Sequence, residues 1–87
     1  MERKVVETVQ IDNIIAEITT REAVNGAGDS VTYFDADFLR TYRKKGSSET
    51  ITTKRFQYRD LEKLIAVIGL AKGKMSELIH NVKSYQS

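Results

Sequence analysis

Six basic residues stand close to one turn. Arg40, Arg43, Lys44 and Lys45 precede Gly46, and Lys54 and Arg55 follow it. Gly46-Ser47-Ser48 is turn-forming sequence. If the flanking segments pair as strands, the six charges gather on one hairpin. Tyr42 lies among them, and Tyr33, Phe56 and Tyr58 are on the same two segments or just after. Cations that track phosphates, interleaved with aromatic rings on which bases stack, are what a single-strand nucleic-acid binder needs. The competing reading is an exposed hairpin kept soluble by lysine and arginine, which also blunt an edge strand. The first reading makes Arg40, Tyr42, Arg43, Lys44, Lys45, Lys54 and Arg55 the nucleic-acid-binding residues, with Tyr42 the stacking ring.

A second cluster is acidic. Glu17, Asp35 and Asp37 can face one side of a sheet, where carboxylates bind a divalent cation or share a proton. The simpler reading is a solvated polar face with Arg21 and Arg43 as partial counter-charges. No metal site is expected.

Other motifs fail on chemistry. The segment GLAKGKMS, Gly69 to Ser76, has P-loop glycines one residue too close, a methionine where a hydroxyl should follow the lysine, and no strand before it. Asn25-Gly26-Ala27-Gly28 precedes a strand, so no helix N-terminus follows to receive a phosphate. His80 is the only histidine and there is no cysteine. A general base needs a partner and a pocket, so His80 reads as a surface residue near a helix end. No enzyme activity, cofactor or small-molecule substrate is expected.

The elements that must position these residues follow from periodicity. Val5, Val9 and Ile11 alternate on one side, and Ile14, Ala16 and Ile18 do so after Asp12-Asn13. A two-residue turn at Asp12-Asn13 sets Ile11 opposite Ile14 and Val9 opposite Ala16, so the apolar faces coincide. Val31 to Lys45 is the longest strand-like run, with Phe34, Ala36, Phe38, Arg40 and Tyr42 in one register. At ~3.3 Å per residue it runs roughly 45 Å, which predicts a bend or bulge around Phe38–Arg40. Glu49 to Phe56 reads as a fourth strand.

From about Arg59 the apolar residues recur at three- and four-residue steps, the pattern of an amphipathic helix. Asp60 and Glu62 suit its positive N-terminal end. Gly69 and Gly73 weaken it; they serve a close backbone approach, or Gly73 divides it. Val67 and Leu70 widen the apolar stripe beyond what one small sheet needs, which makes them the expected interface of a homodimer. The fold class is therefore α+β: a four-stranded antiparallel meander, ββββα, with strands at about 4–57 and the helix at about 59–85 of a single domain spanning 1–87. The helix is expected on the face of Ile14, Ala16, Ile18, Phe34 and Phe38.

The 87 residues carry a net charge of only +2, unevenly spread. Residues 1–37 hold Arg3, Lys4 and Arg21 against eight acids, a balance of −5, while residues 38–87 hold eleven cations against four acids, a balance of +7. Such asymmetry points to a basic surface with an anionic partner, or to two halves that neutralise each other. No apolar run is long enough to span a bilayer, no secretory apolar core follows Met1, and cysteine is absent. A soluble, cytoplasmic protein with no membrane partner is expected.

Four strands followed by one long helix resemble the single-stranded-DNA-binding domain of the transcriptional positive cofactor four family, and single repeats of Pur-alpha and Whirly-type proteins. Val9-Gln10-Ile11 leading into a hairpin, Tyr33 to Tyr42 ending in Arg-x-Tyr, and the basic TTKRF before the helix carry the likeness. Lys54-Arg55-Phe56 stands where that family has a Lys-Gly-Ile-Ser-Leu segment. Phe34-x-Ala36-x-Phe38-x-Arg40-x-Tyr42, with Phe56 and Asp60-Leu61, also resembles a group of small uncharacterised bacterial proteins. The cofactor family implies a homodimer with helices at its interface and curved sheets that hold single strands. Carboxylates repel phosphates, so Glu17, Asp35 and Asp37 must lie off that path.

The expected function is therefore binding of single-stranded DNA or RNA with little sequence preference, by a homodimer. The alternative is a protein-interaction adaptor or subunit using the apolar stripe of the helix. A metal-dependent enzyme built on the three carboxylates is a third reading.

Overall fold

Asp12 adopts φ of 52°, the left-handed region that aspartate tolerates. The chain reverses there, between β1 (Lys4–Ile11) and β2 (Ile14–Val24). Ile11 faces Ile14 and Val9 faces Ala16, the pairing that the apolar alternation requires. The computed structural model describes residues 3–81 and 85–86. Residues 82–84, within the expected helix, lie outside these.

β3 (Ser30–Arg43) returns antiparallel to β2, and β4 (Thr50–Thr53) pairs with the end of β3 through the Gly46 turn. The sheet order is β1-β2-β3-β4, the expected meander. β4 is shorter than the threonine-rich run implied. A two-residue β5 (Tyr85–Gln86), where the periodicity predicts helix, pairs parallel to Thr32 and Tyr33 of β3.

The bulge falls elsewhere than expected. Register between β2 and β3 is unbroken from Ile14↔Arg40 to Val24↔Ser30, so β3 runs its length without one. The irregularity lies in β1, between Val5 and Glu7. One extra residue there moves Val5 opposite Thr19, off the face of Val9 and Ile11.

A 3-10 turn (Tyr58–Asp60) leads into α1 (Leu61–His80). α1 is continuous, so neither Gly69 nor Gly73 breaks it. Both glycines are exposed, with no atom near where a Cβ would stand. The helix lies mainly over β1 and β2. Val67 and Ala71 pack on Ile14, Ala16 and Ile18, with Phe38, Leu64, Met75 and Leu78 around them. Phe34 is outside this cluster, because the far half of the β2–β3 ribbon runs beyond the helix.

Val67 is wholly buried in this core, which removes it from any surface between copies. Its burial contributes roughly 1.5–3 kcal/mol to the chain's own stability. The surplus apolar surface of α1 is instead Leu61, Ile65, Ile68 and Leu70, at 41%, 69%, 45% and 52% exposure. The chain exposes 6478 Å², against roughly 5200 Å² for a compact monomer of its mass. Among the described residues no helix is long and apolar enough to cross a membrane.

Candidate nucleic-acid interface

Period two places Arg40 and Tyr42 on the helix side of β3, with Phe38 before them. Arg40 is drawn inward. Its Nε lies 3.4 Å from Asp60 Oδ2 and donates to the Arg55 carbonyl at 2.9 Å. Its guanidinium carbon sits 5.0 Å from the centroid of the Tyr42 ring, a cation–π arrangement. Asp60 also accepts from the Gln57 backbone N–H at 2.9 Å. One arginine thus ties β3, the segment after β4 and the helix start together.

Beside this joint lies a cleft of about 620 Å³, lined by Arg40, Tyr42, Arg43, Thr53, Arg55, Gln57 and Arg59. Four of the seven lining residues are arginines and none is a carboxylate; Asp60 compensates Arg40 from beside the cleft, and Arg43, Arg55 and Arg59 leave it net positive. Arg43, Arg55 and Arg59 are exposed, and Tyr42 is 41% exposed. Arg59 Nε donates to Gln57 Oε1 at 3.1 Å, which steadies it at the mouth. A second hollow shares Arg40, Tyr42 and Arg59 and reaches Asn13, Asp60 and Lys63, so an acid lies in its lining.

Of the basic residues singled out by sequence, the fold brings Arg40, Arg43 and Arg55 to this cleft with Tyr42. Lys44, Lys45 and Lys54 are exposed but do not line it. Arg59 joins it unannounced. It was hidden by the change of period at the helix start, and its signal is its place next to Asp60, the acid that Arg40 requires.

The acids are on the other face. Glu17 is directly opposite Asp37, and Thr19 opposite Asp35. Arg21 Nε stands 3.6 Å from Asp35, and Arg3 reaches Asp35 and Asp37 at 3.9 and 4.0 Å. Arg21 also lies over the Tyr33 ring at 4.3 Å. The counter-charges are therefore Arg3 and Arg21, while Arg43 belongs to the cleft. Among the described residues no group of three potential ligands is placed to hold a metal ion. His80 is exposed at the last turn of α1.

Compared with protein-family models, curated proteins and solved structures, the chain matches none.

Proposed function

We propose that the protein binds single-stranded DNA or RNA with little sequence preference through the arginine cleft. The observation that carries this reading is the clustering of Arg43, Arg55 and Arg59 around the half-exposed Tyr42, with no carboxylate in the lining. Arginine presents planar donors that match phosphate, and a tyrosine face stacks on any base. The separation of Glu17, Asp35 and Asp37 onto the opposite face supports it, since they oppose no phosphate bound in the cleft. Lys44, Lys45 and Lys54 flank the cleft and extend the attraction along a bound strand.

The same reading takes the protein as a homodimer. Ile65 and Leu70 flank Ala66 and Gly69 on the outer side of α1, where the small residues admit a second helix. Fluorescence anisotropy with labelled oligonucleotides, single-stranded DNA, RNA and duplex, across a salt series tests the reading. Affinity for single strands that falls steeply with salt is expected; no binding at low salt would leave the adaptor reading in its place.

A further inference from the structure

β4 pairs only with Arg40–Arg43 of β3, and β5 only with Thr32 and Tyr33. Both lie on the edge away from β2. Between them, among the described residues, no strand pairs with the backbone of Phe34–Leu39 on that edge. Natural edge strands are guarded by bulges, proline or lysine. This stretch has an unbroken register with β2, no proline and no lysine, and its only charges are Asp35 and Asp37. It presents N–H and C=O groups to any extended chain that approaches.

The two faces of the edge differ in chemistry. On the helix side, Ala36 and Phe38 join Ile68, Ala71, Met75 and Ile79 around a mainly apolar groove of about 390 Å³, whose lining also includes Lys72 and Ser76. On the other side stand Asp35 and Asp37, with side chains 36% and 39% exposed. Their arginine partners come from the β1–β2 side at 3.6 Å or more, and Asp37 has only Arg3 at 4.0 Å. These pairs are long, Asp35 Oδ2 accepts no hydrogen bond, and more than a third of each side chain stays exposed, so the two acids are only partly compensated.

We infer that the open edge of β3 accepts an extended peptide segment in which apolar residues alternate with lysine or arginine. Its backbone completes the ladder, its apolar residues enter the groove beside α1, and its cations face Asp35 and Asp37. Addition of a strand to a sheet edge is a general mode of peptide recognition. A second copy of β3 suits this edge poorly in the register centred on Ala36, because that antiparallel self-pairing sets Asp35 opposite Asp37 at both ends of the pair, and like charges directly opposite destabilise a ladder. The site shares no lining residue with the arginine cleft, and the ladder face it offers to a cation is acidic.

The test uses the whole protein and a short capped peptide alternating valine and lysine. Its controls are the valine–glutamate counterpart and a version N-methylated at alternate residues. The lysine peptide is expected to bind about tenfold more tightly than the glutamate one, as two cross-strand charge pairs, attractive in one peptide and repulsive in the other, imply. It should slow amide hydrogen exchange at Phe34–Leu39, and N-methylation on the ladder side should abolish binding. Asp35→Asn with Asp37→Asn should shrink the preference without lowering the melting temperature, and Asp37→Asn alone should act in the same direction. Three results would overturn the inference: equal binding of the two peptides, protection that appears at the arginine cleft instead, or concentration-dependent protection of Phe34–Leu39 without peptide and with a doubled mass.

Discussion

Arg40 and Asp60 pair across the join between sheet and helix, at 3.4 Å and with side chains only 12% and 7% exposed. A charge so enclosed is tolerable only while its partner is present. Asp60→Ala leaves Arg40 uncompensated and frees the Gln57 N–H, so it should destabilise the fold by about 3 kcal/mol. Urea unfolding monitored by circular dichroism reads this directly. A variant within about 0.5 kcal/mol of the parent would show the pair to be solvated in solution.

The cleft sets the salt dependence. If Arg43, Arg55 and Arg59 each neutralise a phosphate, log affinity against log salt should have a slope of about −2, at ~0.7 per contact on a single strand. Engagement of the flanking lysines steepens it. Arg59→Gln should weaken binding to all sequences alike and lower the slope by about 0.7. An unchanged slope would place Arg59 outside the phosphate path.

Tyr42 separates stacking from charge. Tyr42→Ala should cost roughly 1–3 kcal/mol in affinity with little change in slope, while Tyr42→Phe, which keeps the ring, should stay close to the parent. Titration of a labelled oligonucleotide, with melting temperatures alongside, decides the point. Equal loss in both variants would mean that the hydroxyl matters, not the ring.

Two neighbouring helix positions differ sharply in burial. Val67→Lys places an ammonium group in the core beside Ile14 and Ile18 and should prevent stable folding. Leu70→Lys alters a half-exposed residue and should leave the melting temperature within a few degrees of the parent. Thermal melts of the two variants give the comparison.

The strand order, the Asp12 turn and the helix were legible because each has a strong local signal: alternation, a residue tolerant of positive φ, and a change to helical period. Placement around the helix axis was not. Val67 and Leu70 both extend the apolar stripe, and which one faces the sheet depends on where α1 crosses β2. For the same reason Ile65 and Ile68 share the helical apolar repeat and yet stand outside the core. Arg40 was readable in part. An arginine in register with Phe34, Ala36 and Phe38 must find an acid when that face is covered, yet nothing local identifies Asp60 as that acid. The β1 bulge left no mark, since Val5-Val6 offers an apolar residue to either face.

Gly69 and Gly73 test the outer side of the helix from two directions. Both lie within α1 with open space where a side chain would project. Alanine at each should therefore stabilise the isolated chain by about 0.5–1 kcal/mol through helix propensity and a less flexible unfolded state. For a domain of this size that raises the melting temperature by roughly 4–8 °C per kcal/mol. If a second copy packs its helix against Ala66 and Gly69, the added methyl groups hold the two backbones apart. The double alanine variant should then be more stable at low concentration yet dissociate at a higher concentration than the parent in light scattering. Ile65→Glu with Leu70→Glu should dissociate the dimer as well, without the gain in stability. A parent that remains monomeric at high micromolar concentration, with both alanines simply stabilising, would remove the outer helix face from the assembly.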